Sequence, residues 1–212
     1  MTLYWESFPV GALQCNCTVL GCEEKKEAVI IDPGDDKDKI LQKIRARGYV
    51  VKYLLHTHAH FDHIGMAGPL KREGHGKILL HQDDVFLYDA LDEQAGWFGL
   101  EVPKGEPVDH FLVQGDEIQF GNQVLQVLHT PGHTPGSCSF CVPSINLLLT
   151  GDTLFRQSIG RTDLPGGNTK QLLHSIKSRI LSLAQDYHII PGHGAHTTLS
   201  GEAQSNPFLA SL

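Results

Sequence analysis

The 212-residue sequence has no long apolar run, no excess of positive charge and no leader-like start. Its longest apolar runs are about the length of a β-strand, so none could span a membrane. Lys and Arg number 17 against 24 Asp and Glu, which gives a formal charge of −7 and no sequence-wide basic surface for nucleic acid. Residues 1–10 lack the basic start and apolar core of a secretory signal. We therefore expect a cytoplasmic protein that binds neither nucleic acid nor membranes.

Cysteine is scarce, and its count of five is odd. An odd count in a chain of this length argues against a disulfide framework and favours a reducing compartment. Cys138 and Cys141 have the spacing of a redox pair, but they lie in a strand-like run, residues 137–142, in which residues three apart face opposite sides of a sheet. We interpret them as packing residues. The sequence also lacks a Gly-x-Ser-x-Gly motif, so nothing indicates a serine hydrolase.

The remaining composition is typical of a folded enzyme. Hydrophobic residues make up 41% and charged residues 19%, and no linker interrupts the chain, so we expect one domain over residues 1–212. Helical periodicity predicts one helix at Lys37–Arg47, ended by Gly48, and another at 169–183, capped by Thr169. Short apolar runs bounded by Gly, Pro and Asp predict strands at 17–20, 28–31, 53–55, 77–80, 124–128, 145–149 and 188–190. This order predicts a layered α/β protein.

One segment, Leu-His-Thr-His-Ala-His-Phe-Asp-His at residues 55–63, concentrates candidate metal ligands. It follows a predicted strand and precedes a helix predicted to begin at Ile64. In an extended chain, residues two apart point the same way, so His58, His60 and Asp62 are expected to converge, while His63 turns towards a second position. A lone histidine is most often a structural residue, but this cluster indicates two metal ions.

Three further candidates lie where an apolar strand meets a loop: His133 after Thr-Pro-Gly, Asp152 after Leu-Thr-Gly and His193 after Ile-Pro-Gly. Strand ends are where α/β proteins place their sites. Proline stiffens a turn, and glycine lets the backbone approach a site closely. Simple turns would explain one such pair, but three loops that each deliver a ligand type indicate a metal site.

The pattern His58-x-His60-x-Asp62-His63, followed by His133, Asp152 and His193, resembles the metallo-β-lactamase superfamily in order and context. The resemblance implies a four-layer αββα sandwich of the α/β (α+β) class. It also implies two metal sites bridged by Asp152, one formed by His58, His60 and His133, the other by Asp62, His63 and His193. Asp32, in an Asp-Pro-Gly segment, is either an outer partner that orients the His-rich loop or part of a simple turn.

Within that superfamily, Gly-Asp-Thr-Leu-Phe at 151–155 and Gly-Arg-Thr-Asp at 160–163 look most like glyoxalase II and the short hydroxyacylglutathione hydrolases. The resemblance implies hydrolysis of an S-2-hydroxyacylglutathione, such as S-D-lactoylglutathione, by a hydroxide held between two divalent ions. Zinc is favoured, and iron or manganese would also suit these ligands. Asp62 is expected to hold the attacking hydroxide in line with the carbonyl carbon. Arg161 is expected to contact a glutathione-like thiol, the alternative being a structural pair with Asp163.

Three other functions stay open. A persulfide dioxygenase shares the His-rich motif and the Gly-Arg-Thr-Asp run, but binds a single iron and consumes oxygen. A lactonase or β-lactamase uses the same scaffold. A noncatalytic metal-stabilised module is disfavoured, because the ligand set leaves metal positions open for water. Larger glyoxalase II proteins continue past the Asn206-Pro207 tail into a helical domain that contacts glutathione, and we expect none here. An ordinary surface suits a monomer or a small homo-oligomer.

Overall fold

The computed structural model describes residues 2–210 and contains two six-stranded sheets. The first sheet consists of β1 (Leu3–Val10), β2 (Cys15–Cys22), β3 (Glu27–Ile31), β4 (Val50–Leu55), β5 (Lys77–His81) and β6 (His110–Leu112). These strands lie side by side in chain order, antiparallel from β1 to β3 and parallel from β3 to β6. The carboxyl ends of β3, β4 and β5 therefore meet at one edge of the sheet.

The second sheet is mostly antiparallel. It contains β7 (Glu117–Phe120), β8 (Gln123–His129), β9 (Cys138–Val142), β10 (Leu147–Gly151), β13 (His188–Pro191) and β14 (Thr197–Thr198). The strand order is β14-β13-β10-β9-β8-β7, and β10 and β13 run parallel. A separate hairpin is formed by β11 (Leu154–Phe155) and β12 (Ser158–Ile159). The parallel pair brings the loops after β10 and β13 to the same end of the sheet.

The helices within residues 2–210 are short. They are α1 (Lys37–Arg47), α2 (Phe61–Ile64), α3 (Ala67–Arg72), α4 (Val85–Tyr88), α5 (Leu91–Gly96), α6 (Thr169–Ser175) and α7 (Leu199–Ser205). None of the helices in this range combines the length and the apolar character needed to cross a membrane.

Apolar side chains form three layers of core. Ile31 and Phe140 belong to the layer between the two sheets. Ile30, next to Ile31 in β3, points to the opposite face of the first sheet, because successive strand residues alternate between faces. It packs with α1 in a second layer. Leu148 of the second sheet belongs to a third layer with α6 and α7. Helices thus cover the outer faces of two packed sheets, and the predicted four-layer αββα sandwich is confirmed.

Helix α1 has the bounds that the sequence predicts. Ile40, Leu41 and Ile44 are fully buried on one side of it, as the helical period requires. Gly48 ends the helix with φ of +67°, and its N–H donates to the carbonyl of Arg45. This left-handed conformation favours glycine, which explains why the helix stops there.

The prediction of one α-helix over 169–183, capped by Thr169, is wrong in two respects. Asn168 is the cap, since its side-chain oxygen accepts a hydrogen bond from the N–H of Gln171 at 3.0 Å. The α-helix also gives way to a π-helical turn at Ile176–Ile180. Serine hydroxyls in this segment donate to carbonyls four residues earlier, and such bonds disturb the regular helical ladder.

The strand predicted at 145–149 is displaced by two residues. Asn146 adopts φ of +49°, a left-handed conformation that asparagine tolerates better than most residues. This turn places Ile145 outside the strand, with 37% of its surface exposed, and β10 starts at Leu147.

Cys138 and Cys141 lie on opposite faces of β9. Cys138 is part of the core between the sheets, whereas Cys141 packs on the helical side. Both thiols are free and buried, and burial raises the pKa of each. The two sulfur atoms point to different layers, so the structure supports packing residues rather than a redox pair.

Candidate metal centre

Asp32 holds the His-rich loop in place from the neighbouring strand end. Its carboxylate accepts hydrogen bonds from the backbone N–H of Thr57 at 2.8 Å and from the Thr57 hydroxyl at 2.7 Å. Asp32 is only 2% exposed, so these bonds replace the hydration that burial removes. Of the two expectations for Asp32, the structure shows the orienting role rather than a simple turn.

The His-rich segment is extended only up to His60. The carbonyl of His60 accepts the N–H of Ile64 at 3.2 Å, so α2 begins at Phe61 rather than at the predicted Ile64. The first helical turn carries Asp62 away from the direction of His58 and His60. The expectation that these three side chains converge, which assumed an extended chain, is therefore wrong.

A first cluster of ring nitrogens is formed by His58, His60 and His133. Nδ1 of His60 lies 3.0 Å from Nε2 of His58 and 3.0 Å from Nε2 of His133. His58 and His133 are buried, and the three nitrogens lie within 4.8 Å of one another. Nitrogens that bind one ion at about 2.1 Å in a tetrahedron lie about 3.4 Å apart, within a few tenths of an ångström of the distances here, so this cluster fits a metal ion.

A second cluster joins α2 to the loop after β13. Nε2 of His63 and Nε2 of His193 are 3.1 Å apart, and Oδ2 of Asp62 lies 3.1 Å from Nε2 of His193. The same carboxylate oxygen is 3.7 Å from Nε2 of His63. The helical turn that removes Asp62 from the first cluster thus places it in the second, and this group also has the spacing of metal ligands.

Asp152, after β10, lies between the two clusters. Its Oδ1 is 3.4 Å from Nε2 of His63, and its Oδ2 is 3.6 Å from Nε2 of His133. Within residues 2–210, the buried Oδ1 atom has no hydrogen-bond partner. A buried carboxylate oxygen without a partner is costly unless an ion balances it. The residues present therefore fit a pair of divalent ions with Asp152 between them.

The far nitrogens of three rings are held by hydrogen bonds that fix their orientation. Nδ1 of His133 donates to the carbonyl of Arg161 at 2.8 Å, and Nδ1 of His193 donates to the carbonyl of Leu13 at 2.9 Å. Nδ1 of His63 donates to Oδ2 of Asp32 at 3.0 Å. Nδ1 therefore carries one proton in each ring, and Nε2 is the nitrogen that faces the cluster. Burial acts to lower the pKa of His63 and of His193, but Cys15 beside His63 and the carboxylates beside both rings outweigh it and raise each pKa, so a second proton on either ring must leave before Nε2 can bind a metal ion.

Burial and charge set the protonation of the ligands. Burial lowers the pKa of His58 well below its ordinary value and that of His60 to about 3, and neighbouring histidines add to both effects. Both rings are therefore neutral at pH 7, the form that binds a metal ion. Burial acts to raise the pKa of Asp62, but His63 and His193 outweigh it and lower that pKa, so the carboxylate stays ionised.

The Pro-Gly pairs have the mechanical use that the sequence indicated. A Cβ atom at Gly192 would lie 2.1 Å from Oδ1 of Asp152, so only glycine lets this loop pass the bridging position. Gly132 adopts φ of +140°, and a Cβ atom there would lie 2.3 Å from the backbone of Leu172. Each glycine lets a ligand-bearing loop approach its neighbour closely.

The structure thus brings all seven predicted ligands together, where the loops after β4, β8, β10 and β13 meet. A family model described as the metallo-beta-lactamase superfamily matches residues 10–193, a range that includes every residue of both clusters. The chain belongs to the metallo-β-lactamase superfamily. The predicted family and fold are confirmed, and so is the coarser functional prediction of a metal-binding hydrolase.

Known relatives of this superfamily member cover nearly all of its length. "Hydroxyacylglutathione hydrolase GloC" of Haemophilus influenzae is 40% identical over 208 residues, 97% of this chain and 98% of that protein. The crystal structure of BLEG-1 B3 metallo-beta-lactamase has a TM-score of 0.91 at 37% identity, covering 98% of this chain and 100% of that one. TTHA1623, solved in a di-iron-bound form, has a TM-score of 0.88 at 42% identity, covering 96% and 100%.

In this metallo-β-lactamase superfamily protein, a cleft of about 520 Å³ opens over the two clusters. Five of the seven ligands line its floor: His60, Asp62, His133, Asp152 and His193. Its walls are mainly apolar and are formed by Leu13, Phe61, Trp97, Phe98 and Leu164. A substrate in this cleft can therefore reach both clusters.

Arg161 lines the cleft and is also paired. Its Nε and Nη2 atoms donate to Oδ1 and Oδ2 of Asp163, both at 2.8 Å, while 57% of the Arg161 side chain stays exposed. Its carbonyl supports His133. The structure thus contains the ion pair that was the alternative to substrate contact, and it leaves Nη1 outside that pair.

Two buried positioning residues escaped the sequence analysis. The carboxylate of Asp84 accepts hydrogen bonds from the N–H of Ala59 at 3.0 Å, the N–H of Gly136 at 2.6 Å and the hydroxyl of Thr134 at 2.8 Å. It thereby ties the His-rich loop to the loop that carries His133. Asp84 has no local motif that would reveal this role, because its partners lie 25 to 52 residues away in the chain.

The second such residue is Gln94 on α5. Its Oε1 accepts the N–H of Phe61 at 3.3 Å, and its Nε2 donates to the carbonyls of Ala59 at 3.2 Å and Leu87 at 2.7 Å. Gln94 therefore holds the backbone on both sides of His60, and both of its amide N–H groups and one lone pair of Oε1 are used.

Another histidine pair, His81 and His129, lies outside both clusters together with Asp83. The two rings are stacked, with centroids 4.1 Å apart and planes 8° from parallel. Lone pairs in two parallel planes cannot both aim at one ion, so this geometry does not favour a metal site. His56 is buried beside the His-rich loop, and burial lowers its pKa to about 4. Among the described residues, these three histidines thus lie outside both ligand clusters.

Proposed function

We propose that this protein is a two-metal thioesterase that hydrolyses an S-2-hydroxyacylglutathione, such as S-D-lactoylglutathione, to a hydroxy acid and a thiol. The observation that carries the proposal is the pair of ligand clusters on either side of Asp152, at the floor of an open cleft. The similarity to GloC of H. influenzae supports the thioester as substrate. The proposed partner is this small molecule alone.

We propose that His58, His60 and His133 hold one ion, Asp62, His63 and His193 the other, and Asp152 both. Bound divalent ions supply Lewis-acid chemistry, which lowers the pKa of water and polarises a carbonyl oxygen. Histidine and carboxylate ligands suit zinc, our first choice, as well as iron and manganese. The di-iron form of TTHA1623 supports iron as an alternative.

The side chains of the chain would orient the reacting groups. The ionised Asp62 faces the cleft and can accept a hydrogen bond from the attacking water, holding it in line with the carbonyl carbon. The water oxygen bonds to that carbon and its proton passes to solvent, while the carbon–sulfur bond breaks. The sulfur leaves as a thiolate, whose ordinary pKa of about 8.5 makes protonation by a side chain unnecessary.

Thiol release from S-D-lactoylglutathione, combined with elemental metal analysis, tests this function. We expect release by protein that contains about two metal ions per chain, loss of activity on chelation, and recovery on adding metal back. An oxygen electrode with glutathione persulfide separates the main alternative. Oxygen uptake by protein with one iron per chain, without thiol release, would assign a persulfide dioxygenase instead.

Arg161→Ala tests the substrate contact. Because the guanidinium lines the cleft but touches no ligand nitrogen, we expect KM for S-D-lactoylglutathione to rise about tenfold with little change in kcat or metal content. Arg156→Ala, outside the residues that line the cleft, is the control. An unchanged KM would leave Arg161 with the structural pairing to Asp163 alone.

Hydrolysis of β-lactams is a second candidate, favoured by the high structural similarity to BLEG-1. The same cleft would admit a bicyclic amide, and fold alone does not determine the substrate. A chromogenic cephalosporin measures this activity directly. We expect kcat/KM for it to lie well below that for S-D-lactoylglutathione, and the reverse order would favour the β-lactamase.

A further inference from the structure

The cleft has a wall of exposed aromatic rings beside the metal ligands. Trp97 is 54% exposed and Phe98 is 53% exposed, and both line the cleft with Leu13 and Leu164. Large apolar side chains are seldom left open to water in a group unless something covers them. Resting on the proposed function, we infer that the site takes thioesters with an apolar acyl group of aryl size, and that Trp97 and Phe98 select that group.

The wall is built on a fixed turn. The N–H groups of Phe98 and Leu100 both donate to the carbonyl of Ala95 at 3.0 Å, which closes the end of α5. Gly99 adopts φ of +67° between them, the left-handed conformation in which helix ends commonly stop. The turn therefore fixes the backbone that carries the two rings, which reduces what a ligand must order on binding.

The wall also packs against α2, the helix that carries Asp62 and His63. The rings of Phe98 and Phe61 pack with centroids 5.4 Å apart, and Phe61 immediately precedes Asp62 in α2. Gln94, one helical turn before Phe98, holds the backbone N–H of Phe61. An acyl group that rests on this wall therefore occupies the same cleft as Asp62 and His193 of the second cluster.

The polar groups of the cleft do not match a charged peptide. Apart from the proposed ligands, the polar side chains among the described lining residues are Gln94 and Arg161. Both amide N–H groups of Gln94 donate to backbone carbonyls, so Gln94 has no donor left for a carboxylate, and two of the three Arg161 nitrogens are held by Asp163. Glutathione has two carboxylates and an ammonium group, which would need more partners than this. Apart from the remaining nitrogen of Arg161, the cleft therefore offers most of its contact area to the acyl group.

The test compares two thioesters that share glutathione and differ only in the acyl group. S-mandeloylglutathione has a phenyl group where S-D-lactoylglutathione has a methyl group, and each rate is divided by the rate of uncatalysed hydrolysis. We expect the corrected kcat/KM of the metal-loaded wild type to be at least about tenfold higher for the mandeloyl substrate. Contact with a hydrophobic wall commonly gives discrimination of about this size.

Trp97→Ala and Phe98→Ala test the residues. Each is expected to lower kcat/KM about tenfold for the mandeloyl thioester and no more than about twofold for the lactoyl thioester. Phe111→Ala is the matched control, because Phe111 is 42% exposed and lies on β6 outside the cleft lining. It should change neither value.

Two results would overturn the selection of an aryl acyl group: a corrected rate for lactoyl equal to or above that for mandeloyl, or an equal loss for both substrates in Trp97→Ala and Phe98→Ala. Failure of the underlying function has a different outcome. In that case metal-loaded wild-type protein releases no thiol from either thioester, and the inference falls with the thioesterase itself.

Discussion

Asp152→Ala is expected to lower kcat for thioester hydrolysis by about a thousandfold and to reduce bound metal from about two ions per chain to one or fewer. Asp152 lies between the two clusters, and its buried Oδ1 has no partner within residues 2–210, so its removal affects both proposed sites. Metal ions stabilise developing charge by several kcal/mol, and each factor of ten in rate corresponds to about 1.4 kcal/mol. Steady-state kinetics and elemental analysis measure the two effects.

His60→Ala provides a second measurement on the same prediction. It removes the nitrogen at the centre of the first cluster and should also abolish turnover and reduce bound metal. Asp38→Ala, at the exposed start of α1, is the control for loss of an aspartate and should leave both quantities unchanged. Full metal content with wild-type turnover in either ligand variant would disprove the proposed metal site.

Asp84→Asn is expected to lower the free energy of unfolding by about 2–4 kcal/mol and to weaken metal binding by about 10–100-fold. The Asp84 carboxylate accepts from three donors on two ligand-bearing loops, and it is fully buried. An asparagine side chain would present an NH₂ group to at least one of these donors, leaving both groups unpaired in the interior. Urea unfolding of the metal-free protein and competitive metal titration measure the two effects separately.

Asp83→Asn is the matched control for this prediction. The side chain of Asp83 is 58% exposed and next to Asp84 in the chain, so its loss should change neither stability nor metal affinity appreciably. If Asp84→Asn unfolds at the same urea concentration as the wild type and binds metal equally well, Asp84 does not position the loops.

The sequence predicts local elements well where one period dominates. Helix α1 follows from three buried residues at helical spacing and from the glycine that ends it. The helix predicted over 169–183 has the same apolar spacing but becomes a π-helical turn, and serine hydroxyls there bond to carbonyls four residues earlier. The spacing of apolar residues does not show whether side chains compete with backbone N–H groups for the helix carbonyls.

For the candidate site, the sequence by itself determined which residues are available as ligands, because histidine and aspartate at strand ends can be recognised locally. The family resemblance also implied the two groups that the structure forms, whereas the geometry expected for an extended chain placed Asp62 with His58 and His60. The tertiary structure shows why that geometry failed. A helix that begins three residues earlier than predicted moves Asp62 to the second cluster.

The tertiary structure also decided which residues support and surround the ligands. The partners of Asp84 are 25 to 52 residues away, and the aromatic wall at Trp97 and Phe98 meets the His-rich loop through the packing of α5 on α2. Ligand identity is a property of single residues and short motifs. The grouping, support and shape of the cleft arise from contacts between distant segments, which no local pattern records.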